Sequence, residues 1–80
     1  MKLKNFQHLE DYCFILTFTN GDIKQVDLKN LISQHVSPDL INTAQINTDW
    51  GCLEFMGGMV DIEPKTLYSY ACADESQQAA

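Results

Sequence analysis

Glu54 and Asp61 come nearest to residues placed for chemistry. Leu53 to Ile62 reads as a β-hairpin closed by Gly57-Gly58, a pair that suits a two-residue primed turn. In that register Phe55 faces Val60 and Leu53 faces Ile62, which makes one face apolar. Glu54 then faces Asp61 on the other side, with Glu63 beside it. Close carboxylates push one pKa up, and a shared proton can serve acid–base catalysis. Catalysis favours a concave, water-poor pocket, and a hairpin face is a poor place for it. Directly opposed like charges also destabilise a sheet. An acidic face kept against that cost reads as a contact surface.

Thiols and imidazoles are the other candidates. Cys13 or Cys52 with His8 or His35 would make a nucleophilic pair. No helix N-terminus follows either thiol and no basic residue flanks it, so nothing local activates it. The five residues His8, Cys13, His35, Cys52 and Cys72 are far apart in sequence, unlike the close ligand pairs of a short zinc site. Gly57-Gly58 lacks the strand–loop–helix setting and the lysine of a phosphate loop. No catalytic residue, metal or cofactor is expected.

Protein contact uses the same hairpin better. Met56 and Met59 flank the glycine pair, on the side expected for Glu54 and Asp61, and methionine suits an adaptable surface. Trp50 falls in a turn, where it is either a lid over the core or an exposed anchor. Glu54, Met56, Met59, Asp61, Glu63 and Trp50 are therefore the candidate partner-binding residues. The occupant expected is a small basic protein. Self-association through an unpaired edge at residues 3–9 is the competing use, although Lys2 and Lys4 look like edge protection. The alternative is a small ligand-binding protein or enzyme with a pocket between sheet and helices.

Composition bounds these readings. Eighty residues make one domain with a thin core. The 45% hydrophobic content is that of a globular chain. Eleven acids against five bases give a net charge of -6, which argues against direct contact with a nucleic-acid backbone. The same balance is also an ordinary solubility device. Three dispersed cysteines do not read as a secreted disulfide framework. The polar start carries no signal peptide, and no run is long enough to span a membrane. A cytoplasmic protein is expected.

The elements that must position the site follow from periodicity. Residues 3–9 are a weak strand. Tyr12, Phe14, Leu16 and Phe18 alternate as a strong one. A three-residue loop Thr19-Asn20-Gly21, with Gly21 left-handed, pairs Phe14 with Val26 and Tyr12 with Leu28. That loop collects the apolar residues, whereas a two-residue Asn20-Gly21 loop pairs Phe14 with Asp27. Asp27 is the expected N-cap of a helix with Leu28, Leu31, Ile32 and His35 on one stripe, ending before Ser37-Pro38. Pro38 opens a single turn through Leu40 and Ile41. Ala44 to Thr48 reads as a strand, with Ile46 and Thr48 sharing a face with Leu53 and Phe55. Glu63-Pro64 opens a last helix with Leu67, Tyr68, Ala71 and Cys72 on one side. Residues 1–72 form the expected domain, and 73–80 a frayed tail. The fold class is α+β, a small mostly antiparallel sheet from two hairpin-then-helix units with helices on one face. Periodicity leaves open whether both hairpins join one sheet.

Leu16-Thr17-Phe18-Thr19-Asn20-Gly21, then Val26-Asp27-Leu28 and Leu31, resembles the first half of the bacterial domain-of-unknown-function family 2442. Gly51-Cys52-Leu53-Glu54-Phe55, Val60-Asp61-Ile62-Glu63-Pro64 and Leu67-Tyr68 resemble its second half. Where members commonly carry a Trp-Pro-Asn-Gly-Ala-Asp-like segment, this chain reads Phe55-Met56-Gly57-Gly58-Met59-Val60-Asp61. The resemblance implies a small cytoplasmic bacterial α+β protein with no established catalytic residues. It implies a neighbour as well, because members often sit beside a second small protein in arrangements like those of toxin–antitoxin pairs. Some members continue into a helix-turn-helix. This chain stops after its last short helix, so DNA binding in that manner is not expected. The combined expectation is a non-enzymatic, antitoxin-like protein–protein interaction module.

Overall fold

The computed structural model describes the backbone of residues 1–79 and the side chains of residues 1–73. Strands β1 (Leu3–His8), β2 (Cys13–Phe18) and β3 (Ile23–Asp27) form an antiparallel sheet in that order. Phe14, Leu16 and Phe18 are fully buried, while Cys13, Ile15 and Thr17 between them are half-buried. That alternation is the period of a strand with one face on a core. Phe14 pairs with Val26, as the three-residue loop requires. Phe18 N donates to Asp22 O at 2.9 Å, and Gly21 stands at φ 92°. The left-handed glycine lets the turn close while every core residue stays on one face.

The first helix is shorter than the sequence pattern implies. α1 spans only Lys29–Ile32. Leu28 is its N-cap residue and makes no side-chain cap bond; Asp27, the expected cap, stands one position earlier, its Oδ1 accepting Lys29 N at 2.9 Å. His35 is exposed rather than on the apolar stripe, and Val36 takes the inward position. After Ile32 the chain closes in a tight turn, with His35 N and Val36 N both donating to Ile32 O. Val36 O accepts the hydroxyl of Tyr12 at 2.5 Å across the core, which removes a buried polar orphan. Pro38–Thr43 then forms a 3₁₀ helix with proline in its opening turn, as expected.

The second sheet is β4 (Gln45–Asn47), β5 (Cys52–Phe55) and β6 (Val60–Ile62), again antiparallel and in that order. Thus the α+β class holds, and the two hairpins build two three-stranded sheets rather than one. Ile46 pairs with Leu53 and shares its face, but Thr48 lies beyond the strand and is exposed. Thr48 belongs to the turn instead, where Gly51 N donates to Asn47 O. The sheets meet there too, with Leu3 N donating to Gly51 O at 3.0 Å. They share one core, in which the Phe14 and Phe55 rings meet edge-on at 6.2 Å.

α2 (Pro64–Ala79) packs against β3. Leu67 and Ala71 are buried, with Tyr68 and Cys72 half-buried along the same side. The Tyr68 ring meets Phe18 edge-on at 5.1 Å. The backbone of residues 73–79, expected as a frayed tail, continues α2, and the side chains from residue 74 onward lie outside the described residues.

Candidate functional site

The site is built on the outer face of the second sheet. Leu53 pairs with Ile62, Glu54 with Asp61 and Phe55 with Val60, the register expected from the sequence. The ladder ends there. Gly57 (φ 66°, ψ 28°) and Gly58 (φ 92°) take the positive φ of a primed turn. Met56 leaves extended geometry at φ 55° and Met59 takes a helical conformation, so the connection is four residues rather than two. Thr43 Oγ1 accepts Met56 N at 2.9 Å and draws the hairpin tip onto the 3₁₀ helix. As a result Met56 is half-buried against the core, while Met59 is 83% exposed. Of the two methionines, only Met59 is therefore turned outward with the acids at the hairpin tip.

Glu54 opposite Asp61 is the costly pair in this register, and β4 supplies its compensation. Gln45 Nε2 donates to Glu54 Oε1 at 3.3 Å, and Asn47 Nδ2 donates to Oε2 at 3.1 Å. Both oxygens of Glu54 are thus held by neutral amides. Asp61 and Glu63 are exposed on the same side of the sheet and turn their charge to solvent.

Asn47 links this carboxylate to Trp50. Its Oδ1 accepts Asp49 N at 3.0 Å and Trp50 N at 3.3 Å, shaping the turn before Gly51. Trp50 is 73% exposed and does not close over the core. It borders a groove of about 410 Å³ with Cys52, Asp61, Glu63, Pro64 and Lys65. The sequence pattern singled out Trp50, Asp61 and Glu63. It missed Asn47, whose signal is an Asx turn reading into Asp49 and Trp50, and Cys52, which lies on the groove floor.

Cys52 is 9% exposed. Burial pushes its thiol above the ordinary value of 9.0, and the negative charges of Asp61, Glu63 and Glu54 add to the rise. Such a thiol is a poor nucleophile. Neither histidine lines the groove. His8 Nε2 hydrogen-bonds Asp11 O at 2.8 Å and its ring lies 5.0 Å from that of Phe14. His35 borders an adjoining groove with Leu31, Ile32 and Ile62, which shares Asp61 and Glu63 with this one. The cysteine–histidine pairs considered from sequence are therefore not brought together at this groove. Among the described residues no group of three or more His, Cys, Asp or Glu side chains is placed to hold a metal.

Among the described residues no helix is long and apolar enough to cross a membrane. No curated protein and no solved structure matches the chain. Residues 3–72 match the family model described as a protein of unknown function (DUF2442). With the match spanning most of the 80 residues, the chain belongs to the DUF2442 family.

Proposed function

We propose that this protein is a non-enzymatic interaction module that docks a small basic protein on the outer face of its second sheet. One observation carries the reading. Exposed Asp61 and Glu63 share a groove with Trp50, which is turned outward at 73% exposure. Aromatic anchors beside complementary charge are what recognition surfaces use for affinity and on-rate. Glu54 is a supporting member, because its oxygens are engaged with Gln45 and Asn47. Met59 extends the surface at the hairpin tip, and Met56 supports that tip from the core side. An antitoxin-like role fits such a module, with a cationic toxin-like protein as the partner. We place the pair in the reducing cytoplasm, where the thiols of Cys13, Cys52 and Cys72 persist.

The experiment is capture from host lysate with tagged wild type beside Asp61→Lys, Glu63→Lys. These two positions are exposed, so their reversal spares the Glu54 contacts that hold β4 to β5. A stoichiometric basic protein lost from the variant supports the reading. Equal capture by both baits contradicts it.

A further inference from the structure

We infer that the groove between Trp50, Asp61 and Glu63 is a receptor for one arginine side chain of the partner, its guanidinium stacked on the indole and paired with the carboxylates. The inference rests on the interaction reading above and names the group recognised.

Four observations point to that occupant. The groove, at about 410 Å³, lies at the small end of the range for ligand sites, and suits a single side chain more than a folded surface. One wall is an exposed indole, carried on a turn whose backbone Asn47 Oδ1 holds at Trp50 N. A cation over the face of tryptophan is the most favourable of the cation–π pairs. The carboxylates of Asp61 and Glu63 engage no hydrogen bond or ion pair among the described residues, although Lys65 lines the same groove. They remain available to an incoming donor.

The fourth observation is the floor. Cys52 is nine-tenths buried and lines the groove, and its thiol has no hydrogen-bond partner among the described residues. Burial raises its thiol first, and the charges of Asp61, Glu63 and Glu54 raise it further, so three carboxylates act on the base of the groove. An apolar floor, an aromatic wall and a pair of carboxylates match the stem, the planar face and the forked edge of arginine. Lysine presents a compact, strongly hydrated charge and gains less from the wall.

The test is titration of the full chain with the peptide acetyl-Gly-Arg-Gly-amide, beside its citrulline and lysine counterparts. Citrulline keeps the size and planarity of arginine without the charge. Trp50 is the single tryptophan, so its emission reports the groove directly. The expected result is a saturable change with the arginine peptide and roughly tenfold weaker responses with the other two. Asp61→Asn, Glu63→Gln should abolish the arginine response without changing the far-ultraviolet circular dichroism. Equal responses to the three peptides, a response that survives neutralisation, or no saturable response up to about 50 mM would each overturn the assignment. Partner capture that depends on Asp61 and Glu63 beside a silent arginine titration would overturn the arginine assignment alone. Loss of both would overturn the two readings together.

Discussion

Tyr68 donates its hydroxyl hydrogen to Asp22 Oδ2, joining α2 to the turn between β2 and β3 across 46 positions of chain. Asp22 is itself shaped by that turn, its N donating to Asn20 Oδ1 at 3.0 Å. The contact fixes the last helix against the first sheet, and it makes stability depend on alkaline pH. The Asp22 hydrogen bond raises the Tyr68 pKa above its ordinary value of 10.0, with partial burial and the charge of Asp22 acting the same way. A folded-state pKa above the unfolded one stabilises the fold while the group is protonated. The contribution is complete below pH 10.0 and disappears as pH rises through the raised value. Tyr68→Phe should therefore lower the urea midpoint at neutral pH. The gap between wild type and variant should close in strongly alkaline buffer.

Gly51 is the position where the two sheets touch. It stands at φ 72°, and a Cβ there would come within 2.3 Å of Lys2 Cβ and 2.8 Å of Lys2 Cα. Backbone strain alone costs a non-glycine residue about 1–3 kcal/mol in this region, and the clash with a backbone atom adds to it. Gly51→Ala should lower the thermal midpoint far more than Gly57→Ala. Gly57 shares the left-handed φ, at 66°, but opens to space. Thermal unfolding of the two variants side by side separates strain from steric exclusion.

Thr43 is a two-way connector. Its Oγ1 donates to Leu40 O at 2.6 Å and accepts Met56 N at 2.9 Å. Thr43→Val keeps the shape and removes both bonds, leaving the part-buried Met56 N–H without its partner. A loss of about 1–3 kcal/mol in denaturant unfolding is expected. Faster hydrogen exchange at the Met56 amide should accompany it.

Cys52 should be slow to alkylate with neutral iodoacetamide at mildly alkaline pH. Burial raises its thiol first, and Asp61, Glu63 and Glu54 raise it further, so little thiolate is present. Asp61→Asn, Glu63→Gln removes part of that field and should speed labelling of Cys52 relative to half-buried Cys72. Mass spectrometry of the two modified peptides gives the ratio.

Much of the scaffold was legible because the strand signals were local. The alternation Tyr12, Phe14, Leu16, Phe18 and the placement of Gly21 determine the first hairpin, and only one loop length keeps Val26 opposite Phe14. Likewise the pattern around Gly57-Gly58 determines which residue faces Glu54. What periodicity could not supply was long-range. Val36 takes the inward position with its carbonyl on the Tyr12 hydroxyl, 24 positions away. Met56 turns inward because Thr43 takes its amide, 13 positions away. At the site, exposed Asp61 and Glu63 follow from strand alternation. Whether Trp50 covers the core depended on the conformation of a turn held by Asn47. The groove itself arises where that turn approaches the start of α2, a proximity no local pattern encodes.

The most direct test of the acidic-face account is the affinity of the captured partner for wild type and for Asp61→Lys, Glu63→Lys, measured by calorimetry at low and high salt. At low salt the variant should bind about tenfold more weakly than wild type. The difference between the two proteins should narrow as salt rises. Equal affinities, with no dependence on salt, would contradict it.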